Sequence, residues 1–179
     1  MQARESQIRE VALPASALGS LRRALSEEVG SLTAVHTLHA TGFETGDVAF
    51  EAFARALRRP LEEVTEGTFW PVLEGFLSQR GWGSSQHSTP HPGVGLLSSR
   101  DWAEAEGGRE GQAVCAFSVG LLSRLLTRAA GEPVAVLETS CRARGDQACV
   151  FAFGSETTIH ELYGLLLEGR SLEKALAEL

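Results

Sequence analysis

The residues best equipped for chemistry lie in Glu138-Thr-Ser-Cys-Arg-Ala-Arg-Gly-Asp-Gln-Ala-Cys149, which gathers a carboxylate and two of the chain's three cysteines around a turn signal. The third, Cys115, stands upstream at the start of an apolar helical pattern. If one fold brings Cys115, Glu138, Cys141 and Cys149 together, their thiolate and carboxylate donors suit tetrahedral zinc, with no corner left for water. The formal charge of such a site is about −2, which Arg142 and Arg144 are placed to offset. Two other readings stay open on spacing alone. The thiols could be ordinary core cysteines, a frequent fate for this residue, or Cys115 could be a catalytic thiol, although no histidine neighbours it in sequence. No Cys-x-x-Cys pair is present to decide the matter.

The histidines offer less. His36 and His39, three apart on an apolar stretch, read as core or edge residues, and His87 and His91 fall in a Ser/Pro-rich segment that reads as solvated surface or a gate.

The elements that must position these groups follow from periodicity. Residues 1–15 form an arm that ends near Pro14. Leu18, Leu21, Leu25 and Val29 predict a helix from Ser16, as its N-cap, to Gly30. Leu32, Val35, Leu38 and Ala40 follow, as helix or strand, up to Gly42-Phe-Glu-Thr-Gly46, where the glycines predict a break. Asp47 then reads as the N-cap of a helix ending before Pro60, and Gly67 to Arg80 as a further helix with Pro71 in its first turn. Gly81 to Gly95 reads as a long loop enclosing at most a short strand, and Gly93 to Ser99 as a strand. Asp101-Trp-Ala-Glu-Ala-Glu-Gly107 reads as its exposed continuation or a turn of helix. Gln112 to Ala130 is the strongest helical pattern, with Ala113, Phe117, Gly120, Leu121, Leu125 and Leu126 on one face. Val134 to Glu138 and Ala148 to Phe153 predict a β-hairpin, Ser155 opens an amphipathic helix, and Ser171 to Leu179 a short last one.

A chain of 179 residues, 43% hydrophobic, can bury one full core, so residues 16–179 are expected to form a single domain. A net charge of −7 without any Lys/Arg block argues against nucleic acid or an anionic membrane surface as partner. The charged N-terminal residues lack a signal-peptide core and no apolar run nears the ~20 residues of a membrane span. A cytoplasmic location is therefore expected, where three cysteines do not imply disulfides.

The run Glu-x-x-Cys-Arg-Ala-Arg-Gly-Asp-x-x-Cys-x-Phe at 138–151 resembles the signature of the 4-vinyl reductase domain, a relative of the Bet-type subunits of the TRAPP tethering complex. It is similar also to the sensor domains of bacterial phenol- and xylene-responsive activators. Gly42-Phe-Glu-Thr-Gly46 resembles the family's glycine-bracketed turn between early helices, and the order of elements agrees over roughly residues 16–168. The resemblance implies an α+β sandwich, an antiparallel sheet packed with helices, and a structural zinc on Cys115, Glu138, Cys141 and Cys149. It also implies an apolar channel, for which Phe69, Trp70, Phe76, Trp82, Leu96, Trp102, Phe117, Val119, Leu122 and Val136 are the candidate lining. Val119 and Val136 stand where phenol-sensing relatives tend to place tyrosine. Valines recognise shape and apolarity, not a phenolic hydroxyl, which needs a partner when buried.

No phosphate-loop pattern and no basic recognition segment accompanies this domain. The expectation is a non-catalytic sensory module with an apolar small-molecule ligand, acting through a homodimer or a protein partner. Two alternatives are a TRAPP-like interaction scaffold without a small ligand and, ranked below both, a vinyl reductase-type enzyme.

Overall fold

The computed structural model describes residues 8–106 and 115–179. Helix α1 (Ser16–Val29) forms where predicted and is stopped by Gly30, whose φ of 84° lets its N–H close on the Ser26 carbonyl. Its leucine stripe is not consumed by the core: Leu21 and Val29 stand in solvent, and α1 buries Gly19 and Arg22.

The expected break at Gly42–Gly46 is absent. Helix α2 runs unbroken for 27 residues, Ser31–Leu57, with both glycines buried in its interior. The reason is the neighbouring helix α4 (Ala116–Ala130). A Cβ on Gly42 would lie 2.0 Å from the Phe117 carbonyl oxygen, one on Gly46 would lie 2.5 Å from Arg124 Cβ, and one on Gly120 would lie 2.1 Å from the His39 carbonyl oxygen. The glycines let two backbones touch; they do not turn the chain. Asp47 is accordingly no N-cap: it sits mid-helix, accepting hydrogen bonds from Arg124 Nε at 3.0 Å and Arg128 Nη1 at 2.5 Å across the seam.

Helix α3 (Glu66–Gln79) carries Pro71 in its second turn, one turn later than expected. The predicted long loop at 81–95 holds strand β1 (Ser85–His91), paired antiparallel to β2 (Val94–Ser99). Strands β3 (Ala135–Ser140) and β4 (Cys149–Gly154) make the expected hairpin, and the sheet order is β1-β2-β4-β3. The outer edge of β1 is partly covered: the His87 N–H donates to the Glu74 carboxylate of α3 at 2.7 Å.

In register, Leu97 opposes Phe151, which opposes Glu138, so all three share the sheet face covered by α2, α3 and α4. Val94, Leu96 and Ala152 face the other way, against α5 (Glu156–Leu167) and α6 (Leu172–Glu178), capped by Ser155 and Ser171. The layers are helix, sheet, helix. Of the two readings for the segment after β2, the turn of helix holds: it is a single 3-10 turn, Ala103–Ala105, buried rather than exposed, behind the fully buried Trp102. Gln112 and Ala113 lie outside the described residues; α4 begins at Ala116 and ends at Gly131, which has φ 73°.

Candidate metal centre

The β3–β4 hairpin brings Glu138 to the end of one strand, Cys141 to the start of the connection and Cys149 to the head of the other strand. The connection is a 3-10 turn, Arg142–Arg144, closed by Gly145 at φ 96° and by Asp146, whose carboxylate accepts the Cys141 N–H at 2.7 Å. Helix α4 supplies Cys115 from the residue preceding its first turn. The ligand atoms of Cys115, Glu138, Cys141 and Cys149 all lie within 4.8 Å of one another. Cys115 Sγ is 3.8 Å from Cys141 Sγ and 3.9 Å from Cys149 Sγ. Two sulfurs each about 2.3 Å from a tetrahedral zinc are ~3.8 Å apart, so the spacing is that of a coordination edge.

Two further observations fit a cation. All three thiols are fully buried, and Glu138 Oε1 is buried without a hydrogen-bond partner. An orphan carboxylate oxygen inside a protein is costly. Burial pushes the Glu138 carboxyl up to about 7. Hydrogen bonds from the Cys115 and Cys141 thiols pull Cys149 down to about 4, and Cys115, on the other side of those bonds, is pushed up. A divalent cation bound by the cluster would displace protons from its ligands. Arg144 also eases the charge on Glu138.

A carboxylate that spacing did not single out stands beside this cluster. Glu104 is 3% exposed and accepts the N–H groups of Phe117 at 3.0 Å and Ser118 at 2.7 Å, in the first turn of α4. It also accepts the Ser118 hydroxyl, which in turn accepts Trp102 Nε1–H at 2.8 Å. Burial pushes Glu104 up to about 7 against the pull of those hydrogen bonds. The signal that could have revealed it is an omission: no Ser, Thr, Asp or Asn precedes α4, so its cap had to come from elsewhere.

Of the candidate pocket residues, Phe69, Trp70, Phe76, Trp82, Trp102, Phe117, Val119, Leu122 and Val136 share the cluster on the α2–α4 side of the sheet. Leu96 does not; it points at α5 and α6, because neighbouring Leu97 takes the inner face. The inner aromatics form two groups. Trp82 stacks with Trp102 and Phe117, near the thiols, while Trp70 packs with Phe69, Phe153 and His87 farther along. His87 is therefore not a loop residue in water. Its ring lies 3.7 Å from that of Trp70, at 8°, and burial lowers its pKa. The pair borders an open groove of about 390 Å³ shared with Glu66, Gly67, Pro71 and Glu74. His91 is also in β1, while His36 and His39 are exposed on α2, in no core.

Comparison with known proteins bears on this site. Residues 98–155 match the V4R domain. That segment holds Glu104, all of α4 and the whole four-residue cluster, so the resemblance read from the cysteine-bearing run stands. The phenol-responsive sensory domain of the transcription activator PoxR has a similar structure, with a TM-score of 0.67, 18% identity, and 82% of this chain and 77% of that chain covered. A vinyl-4-reductase family protein from Methanocaldococcus jannaschii is also similar, with a TM-score of 0.51, 16% identity, and 82% and 83% covered. At these identities the likeness concerns the α+β fold. No curated protein sequence matches the chain. No helix among the described residues is long and apolar enough to cross a membrane.

Proposed function

We propose that this chain is a ligand-sensing module in which a structural zinc, held by Cys115, Glu138, Cys141 and Cys149, fixes one wall of an apolar binding region. The observation that carries the reading is the four-donor cluster with its partnerless Glu138 oxygen, next to the Trp82, Trp102 and Phe117 stack. When bound, the metal supplies a cross-link between α4 and the β3–β4 hairpin. With the four corners taken by protein, it has none to give to a substrate. The ligand class is an apolar molecule, since Val119 and Val136 contribute no hydroxyl. The likeness to a phenol-responsive domain supports a sensory role in kind, with a different ligand.

Output passes through a second copy or another protein. Exposed Leu21, Val29, Leu32 and Phe43 on α1 and α2 support an interface there, and the same residues favour the alternative of an interaction scaffold without a small ligand. Native mass spectrometry of freshly purified protein separates these readings. One zinc per chain with retained small-molecule mass supports the sensor, zinc with a tight protein partner and no ligand supports the scaffold, and metal-free native protein overturns the zinc. The vinyl reductase reading rests on the V4R match and the second structural likeness. Turnover of a vinyl porphyrin with reduced nicotinamide would raise it above the other two.

A further inference from the structure

Helix α4 has to hold Cys115 still, yet nothing adjacent in sequence caps its start. The first N–H groups of a helix lack intrahelical partners, and a helix that frays there moves the residues of its first turn. Cys115 is the residue just before that turn, and its carbonyl accepts the Val119 N–H at 2.9 Å. The missing cap comes from eleven residues upstream in the form of Glu104, which accepts two backbone N–H groups and the Ser118 hydroxyl. A carboxylate at a helix N-terminus is also favoured by the helix dipole.

We propose that Glu104 is a positioning residue for Cys115: it holds the start of α4 so that the thiol stays in register with Cys141 and Cys149. The Trp102–Ser118 hydrogen bond extends this to the aromatic wall. Trp102 Nε1–H donates to the same Ser118 hydroxyl that donates to Glu104. The assignment deepens the metal reading, but its core claim concerns the thiol and stands without metal.

The test uses chelator-treated full-length protein and iodoacetamide, with the three cysteines resolved by peptide mass spectrometry. Glu104→Gln keeps the shape and removes one acceptor oxygen and the charge. The expected result is that Cys115 alkylates about tenfold faster than in the parent while Cys141 and Cys149 change little, the size of effect that loss of a helix cap gives. Ser118→Ala, which leaves both backbone N–H bonds to Glu104, gives a smaller acceleration at the same cysteine and serves if the first variant does not fold. Cobalt(II) titration of the same proteins follows, with an expected loss of about tenfold or more in affinity for Glu104→Gln and an altered thiolate–cobalt absorption band. Equal acceleration at all three cysteines, or none at Cys115, overturns the proposal. A parent protein that binds no cobalt while Cys115 still responds selectively to Glu104→Gln overturns the metal reading and leaves Glu104 in its role.

Discussion

Helix α4 is held in two ways along its length. At its start, three thiols, Glu138 and Glu104 converge through chemistry: protons, charge and hydrogen bonds decide the geometry. From Phe117 to Arg124 it is held by shape, where Gly42, Gly46 and Gly120 let α2 and α4 approach until backbone meets backbone. The first attachment is made of titratable groups that could also hold a metal ion, and the second is made of close backbone contact. A domain built this way can keep its frame while the state of one end of α4 changes.

The largest effect is expected where the chemistry is removed. Cys141→Ser or Cys149→Ser should abolish zinc binding by elemental analysis and lower stability by several kcal/mol, on the order of 5 kcal/mol, because site formation and folding are coupled. Retention of full metal content by both variants would end the metal account. Next comes the seam. Gly42→Ala and Gly120→Ala should each cost about 3 kcal/mol in urea unfolding through overpacking, despite alanine's better helix propensity, and neither should alter the zinc-to-protein ratio of the folded fraction.

The pH dependence separates the two attachments further. The folded-state pKa of Glu104, about 7, is raised above its ordinary 4.5. Its contribution to stability is therefore fully present below about pH 4.5 and is lost as pH rises through about 7, by roughly 2–3 kcal/mol. Urea midpoints of metal-free protein at pH 5 and pH 8 should show this loss together with a like one from Glu138, and Glu104→Gln should remove only the Glu104 part. At the far end of the seam, Asp47 is partly exposed, so Asp47→Asn should cost under about 1 kcal/mol despite its two arginines. The smallest change runs the other way. At Gly75 in α3 an added Cβ would meet nothing within 4 Å, and Gly75→Ala should raise stability by about 0.5–1 kcal/mol.

The two attachments also differed in how far the sequence revealed them. Cys115, Glu138, Cys141 and Cys149 leave three readings open on spacing, and the resemblance carried by the 138–151 run points to their convergence, which the fold shows. Glycine carries two opposite meanings, turn and close approach. With one chain in view, Gly42 and Gly46 read as the former when the neighbouring helix makes them the latter. Strand β1 escaped because Ser-Gln-His-Ser-Thr-Pro-His has no apolar alternation. It is an edge strand whose inner side meets helix α3 through the His87 ring, and a histidine announces no such burial. Glu104 escaped because a buried acid is recognised by its donors, and these lie 13 and 14 residues away in the chain.

The partly covered edge of β1 bears on assembly. With the His87 amide taken by Glu74, a strand from another molecule finds the ladder along β1 interrupted at that residue. Of the two sheet borders, β1 and β3, strand pairing with another molecule is thus disfavoured at the β1 side. The same interruption makes β1 a poor seed for fibrillar stacking, even though its strand is short of the charges that usually protect an open border.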